Sequence, residues 1–146
     1  MEEPATVRLD LRAPLEYVEI PLPADMPPLD APFDAGELMF LFEIDPEQAR
    51  SIELDAARFL GKLVFAGRSP ADNAAGSGAA AQVIPAGLYL FVQRRRALSL
   101  RECIDLAIEQ HKDGLWERLG LENRLYIRRL FEDGSAVTQL FRPIAE

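Results

Sequence analysis

The chain contains one cysteine and one histidine. The lone thiol, Cys103, excludes an internal disulfide and suits a reducing compartment. With only His111 to join it, a zinc site built from nitrogen and sulfur ligands is excluded as well. No apolar run approaches the roughly 20 residues that span a bilayer, so no transmembrane helix is expected. The N-terminal stretch MEEPATVRLD is acidic and lacks the apolar region of a secretory signal. Phosphate-cradling motifs are missing: there is no P-loop and no G-x-G-x-x-G. There is also no nucleophile elbow and no metal-ligand pair at i, i+4 spacing. These absences point to a cytoplasmic protein with no membrane association, no metal and no cofactor. They offer no positive case for an enzyme, although isolated Glu and Tyr side chains can do acid–base work.

What is present fits one globular domain. At 146 residues, 49% hydrophobic and 27% charged, the chain can bury roughly two thirds of its unfolded surface. A net charge of −8 argues against direct nucleic acid binding, because a duplex repels an acidic protein. The charge is uneven. From Gly87 onward there are 10 Lys+Arg against 9 Asp+Glu, and before it 6 against 15. Arg94, Arg95, Arg96, Arg128 and Arg129 concentrate the positive charge. They read either as a solvated face with paired charges or as a site for an anionic ligand or acidic partner.

Residues 1–35 hold seven of the eleven prolines. Proline removes a backbone donor and fixes φ, so no long helix fits there, although LEYVEIPL can form one strand. Residues 36–146 read as a single α+β domain. GELMFLFEI (36–44) is a compact apolar run of strand type, followed by Asp45 as N-cap and Pro46 as the first residue of a short helix. SIELDAAR leans helical and RFLGKLVFAG leans extended. Residues 69–82, SPADNAAGSGAAAQ, offer little area to bury and are expected to form a mobile loop.

Beyond the loop the order is strand (IPAGLYLFVQ), helix, strand, tight turn, strand. Ser99 followed by Glu102 is a capping box, with Leu98 and Cys103 in staple positions. Leu100, Ile104, Ala107 or Ile108, His111, Leu115 and Leu119 recur at helical spacing. Gly114 is expected to break or cap this helix and Gly120 to follow its end. Glu132-Asp133-Gly134-Ser135 is a hairpin turn, Asp-Gly supplying positive φ. Alternation puts Leu125, Ile127, Arg129 and Phe131 on one face of the hairpin and Arg124, Tyr126, Arg128 and Leu130 on the other. Each face thus carries an arginine, so the hairpin is expected to be exposed on at least one side. A sheet with one helix leaves its second face to something else, and a ligand is one candidate. His111, on the helix stripe, reads as a packed imidazole rather than a catalytic base.

The run VIPAGLYLFVQ, a helix, LYIRRLFEDG and then TQLFRPI resembles the gyrase-inhibitor-like (GyrI-like) small-molecule-binding superfamily over residues 36–144. Such domains are effector domains of many MerR-type and AraC-type bacterial transcription regulators. Ile84-Pro85-Ala86-Gly87-Leu88-Tyr89 and Phe141-Arg142-Pro143-Ile144 carry the likeness. It implies a two-lobed antiparallel sheet with a βαββ second half and a small organic ligand held between the lobes. Aromatics beside the predicted sheet then become ligand-binding candidates: Phe40, Phe42, Tyr89, Phe91, Trp116 and Tyr126, with Ile127 and Arg129.

The chain departs from the family in two ways. The glutamate that pairs with cationic drugs falls on Ile127, and the aromatic two places later on Arg129, which favours an anionic or neutral ligand; a slipped register would instead use Phe131-Glu132. The Pro-rich segment stands where the first helix should be, so that helix is absent or a partner chain supplies its cover. No helix-turn-helix is present either. Two alternatives to a non-enzymatic sensor follow from the same family. One is an interaction module whose acidic first half docks on a basic or DNA-associated protein. The other is a small hydrolase using Glu132, Tyr126 and Trp116.

Overall fold

The computed structural model describes residues 6–19, 37–51, 53–68, 81–132 and 134–145. The Pro-rich continuation after Glu19 and most of the Gly/Ala-rich segment, residues 69–80, lie outside the described residues.

The described residues form ten elements, in order β1 (Val7–Leu11), β2 (Leu15–Glu19), β3 (Glu37–Ile44), α1 (Pro46–Ala49), β4 (Leu60–Arg68), β5 (Ala81–Ile84), β6 (Gly87–Arg94), α2 (Leu100–Trp116), β7 (Arg124–Glu132) and β8 (Ser135–Pro143). The architecture is α+β, dominated by one antiparallel sheet that curls into a half-barrel. All eight strands belong to it, in the order β1-β6-β8-β7-β3-β4-β2-β5.

The curl follows from chain length. β1 and β2 lie six places apart in the sheet, yet only residues 12–14 join them. In a flat sheet six steps of ~4.8 Å would separate them by ~29 Å. The link from Leu11 to Leu15 reaches ~14 Å at most. The sheet must therefore bend until its ends approach each other. β5 and β6, also six places apart, are joined by Pro85 and Ala86 alone and impose the same bend. The run IPAGLYLFVQ is thus two strands: Ile84 ends β5 and Gly87 opens β6. Register shifts between β3 and β4 on either side of Phe42 add twist.

Two cores result. On the outside of the curl, α2 covers Leu38, Phe40, Phe42, Leu125, Ile127 and Leu140 with Cys103, Leu106 and Ala107. Inside the curl, Tyr17, Met39, Leu41, Phe65, Ile84, Tyr89, Tyr126 and Phe141 pack together. The sheet face expected to be left for a ligand is therefore covered by β2, β4 and β5 of the same chain. The β7–β8 hairpin is buried on both sides, with Leu125, Tyr126, Ile127 and Arg129 all excluded from solvent. Its arginines do not force exposure because each is met by polar groups of the protein.

Local signals explain most of the elements. Ser99 Oγ accepts from the Glu102 amide at 3.2 Å and Glu102 Oε1 accepts from the Ser99 amide at 3.0 Å, closing the capping box. Leu98 and Cys103 are both buried. Asp45 Oδ1 caps α1 by accepting from the Glu47 amide. Gly134, at φ 79°, turns the β7–β8 hairpin. Two expectations fail for visible reasons. Gly114 lies within α2 because the helix packs closely there: a Cβ would come within 2.7 Å of Leu121 Cδ1 and 2.8 Å of Leu90 Cδ1. The left-handed residue after the helix is Arg118, at φ 60°, rather than Gly120.

SIELDAAR is not helical over its described residues. Ser51 Oγ accepts from the Glu53 amide, Asp55 Oδ1 from the Ala57 amide, and the buried Gln48 from the Asp55 amide at 2.7 Å. Such side-chain bonds give the backbone an alternative to the helix.

Candidate functional site

Three arginines of the β7–β8 hairpin sit in three environments. Arg128 points into the curl. Its Nε and Nη2 each donate to the Glu37 carboxylate at 2.9 Å, and Nη1 donates to Gln139 Oε1 at 2.9 Å. Gln139 donates onward to Gln93 Oε1 at 2.7 Å, and the Tyr17 hydroxyl donates to Glu37. This row crosses β2, β3, β7, β8 and β6 and is satisfied within itself. Burial alone would raise the Glu37 carboxyl, but hydrogen bonds from Arg128 and Tyr17 outweigh it and hold the group below the usual carboxylate range. Burial, then the bond to Glu37, pushes the Tyr17 hydroxyl well up.

Arg129 points to the α2 side and is 4% exposed. Its Nη2 donates to the Leu98 carbonyl. Thr138 Oγ1 secures the same loop, accepting from the Leu98 amide at 3.2 Å and donating to the Arg96 carbonyl at 2.9 Å. Arg129 therefore ties down the segment that leads into α2.

Arg142, on the same side near the end of β8, differs from both. It is 1% exposed. Its Nε donates to the Glu122 carbonyl at 2.6 Å and its Nη1 donates to His111 Nδ1 at 3.1 Å, while Nη2 has no partner. Among the described residues no carboxylate pairs with it. Burial lowers its pKa to about 10. An arginine can only donate, so His111 Nδ1 accepts and the imidazole proton resides on Nε2. Nε2 is buried and has no hydrogen-bond partner among the described residues. Burial, then the neighbouring Arg142 charge, lowers the His111 pKa to about 4. The ring packs edge-on against Phe59 at a centroid distance of 5.4 Å.

Beside this pair lies a cavity of about 270 Å³ at the foot of α2. Leu115, Leu119 and Leu121 supply its apolar wall, and Pro46 and Ala49 of α1 face them. Arg50 and Asn123, both exposed, stand with it toward solvent, and His111 and Arg142 form its buried polar part. Backbone pairing fixes this corner: the Leu119 amide donates to the Gly114 carbonyl, Glu122 to Pro143, and Ala145 to Gly120. Leu121 and Ile144 form an isolated bridge.

The eight sequence-predicted site residues do not converge. Phe40, Phe42 and Ile127 are in the outer core under α2, and Arg129 is in its loop tie. Tyr89 and Tyr126 are in the inner core, with Phe91 packed at its edge. Tyr89 and Tyr126 meet edge to face at 6.4 Å. Trp116, the last residue of α2, is 89% exposed and belongs to neither core. Arg142 was missed. Its signal is a lone cation in the apolar run TQLFRPI, with no acid beside it in sequence. His111 was read as packing, which its burial bears out, but its contact with Arg142 joins residues 31 apart and has no local signature.

Among the described residues no group of three or more His, Cys, Asp or Glu could hold a metal, and no helix is long and apolar enough to cross a membrane. No protein-family model matches the chain, and no curated protein matches it.

Proposed function

We propose that this chain is a non-enzymatic small-molecule-binding domain of the sensor or effector type, holding its ligand in the cavity at the foot of α2. The observation that carries this reading is a leucine-walled cavity that ends on two buried, incompletely satisfied polar side chains, His111 and Arg142. Binding sites commonly combine an apolar lining with a few convergent polar groups. The β6-α2-β7-β8 order also supports the finer likeness to gyrase-inhibitor-like effector domains, and a cytoplasmic location goes with it. The inner face of the curled sheet is filled by Tyr17, Phe65 and Ile84, so the proposed ligand lies elsewhere in this chain.

A ligand selective for the folded state raises the melting temperature. Wild type and Leu119→Trp, which fills the cavity, are to be screened against a library of small organic molecules. Compounds that stabilise wild type and lose their effect in the variant support the reading. No stabilisation, or stabilisation that survives the substitution, overturns it.

A second reading, an interaction module for a basic protein, draws on the exposed Trp116 and the acidic first half of the chain. A partner retained from native cytosol at low salt and lost at high salt supports it. Retention unchanged by salt, or by Trp116→Ala, speaks against it.

A further inference from the structure

We propose that the cavity at the foot of α2 is a site for a small organic monocarboxylate whose carboxylate meets the Arg142 guanidinium while its apolar body lies against Leu115, Leu119 and Leu121. This rests on the reading of that cavity as a ligand site and names the ligand's chemical class.

The charge argument comes first. An ion taken out of water without a counter-ion costs several kcal/mol, and proteins meet such ions with a partner of opposite sign. Arg128 obeys this rule through Glu37. Arg142 is the more deeply buried of the two and, among the described residues, has only a backbone carbonyl and a neutral imidazole. Water could complete its hydrogen bonds but could not balance its charge. His111 cannot share that charge, because it acts as acceptor and remains neutral beside the guanidinium.

Hydrogen-bond geometry comes second. A guanidinium has five N–H donors. Arg142 uses one on Nε and one on Nη1. The second N–H of Nη1 and both of Nη2 remain; Nη2 is closed off from solvent, so a carboxylate meets this end of the guanidinium only as the side chains over it shift aside. The bond to His111 Nδ1 helps hold the guanidinium in place.

Size and lining give the rest. At about 270 Å³ the cavity has room for roughly ten non-hydrogen atoms. One carboxylate balances one guanidinium. A phosphate dianion would overshoot that balance and leave the leucine wall uncovered. Exposed Arg50, near the entrance, adds a long-range attraction for anions that salt should weaken.

The test compares benzoate and hexanoate with their uncharged amides, with benzylamine and with inorganic phosphate. Melting temperature and calorimetry are read on wild type, Arg142→Met, Leu119→Trp and Arg50→Ala. The expected result is a rise of roughly 5 °C or more with a carboxylate at a hundredfold excess over its Kd. The amides and benzylamine should leave the melting temperature unchanged, and phosphate should have little effect. Arg142→Met should weaken carboxylate binding at least about tenfold while the ligand-free variant stays folded, because the removal of an unpaired buried charge offsets the two acceptors, the Glu122 carbonyl and His111 Nδ1, that lose their donor. Arg50→Ala should weaken binding a few-fold at low salt only.

Amides or benzylamine that bind as well as the acids, and are lost in Leu119→Trp, overturn the carboxylate assignment and leave the cavity a ligand site. Phosphate binding more tightly than either acid overturns the monocarboxylate class. Carboxylate binding that survives Arg142→Met removes the anchor, and Arg142→Met unfolding in the absence of ligand makes Arg142 structural. If no probe binds and the wider library also yields nothing, the ligand-site reading itself falls.

Discussion

A buried imidazole beside a buried guanidinium makes this protein acid-sensitive at one identifiable residue. Unfolded His111 takes up its proton near pH 6.5, whereas the folded form does so only near pH 4. Between those values the unfolded chain binds more protons, so stability falls as the pH is lowered through this window. With partial screening at the cavity, the loss is about 2 kcal/mol. Glu37 acts in the same direction over a lower range. Its carboxyl is held below the usual value, so the stability it contributes is present above the ordinary carboxylate range and is lost as the pH falls through its lowered value. Denaturant unfolding at pH 7, 5.5 and 4.5 should show progressive loss, and His111→Gln should flatten the upper part of the curve. An unchanged slope in the variant would contradict the assignment. A second residue-scale expectation concerns Arg118, a non-glycine residue at φ 60°. Arg118→Gly should raise stability by about 1 kcal/mol, read as a higher denaturation midpoint, because glycine adopts this conformation without a Cβ clash.

At the scale of elements, what could be read from the sequence was what the chain decides locally. The Ser99/Glu102 box and the Asp45-Pro46 start act within four residues of chain, and both form; Gly134, at positive φ, turns the hairpin in the same local way. Ser99→Ala should cost about 1 kcal/mol, measured as a drop in melting temperature, without unfolding α2, since Cys103, Leu106 and Ala107 keep that helix on the sheet. What could not be read depended on distant partners. VRLDL alternates apolar and charged residues over only five positions, and its place in the sheet depends on β6, which offers it a hydrogen-bonding edge and pairs Val7 with Phe91. The break between Ile84 and Gly87 was hidden because both halves of the run are apolar; only the curl of the sheet requires it. SIELDAAR has helical composition, but over its described residues Gln48 and its own Ser and Asp side chains take backbone donors. The candidate site was illegible for the same reason, since His111 and Arg142 meet only when α2 lies across β8.

At the scale of the molecule, the curl sets a gradient of protection. β7, β3 and β8 are central and paired on both sides, whereas β1 and β5 are edges. Amide hydrogen exchange should be slowest in the central strands and fastest in β5, with a spread of several orders of magnitude in rate. Equal protection at the edges would show that something else covers them. The sheet order also bears on how the protein is made. Leu41 of β3 has its partner in Tyr126 of β7. During synthesis one edge of β3 therefore stands bare while roughly 80 more residues are added, several seconds at about 5–20 residues per second. Throughout that interval Met39, Phe40, Leu41 and Phe42 form an apolar strand with an unpaired side on a nascent chain. How much native protein a cell obtains will depend on what shields those four residues until the ribosome delivers β7.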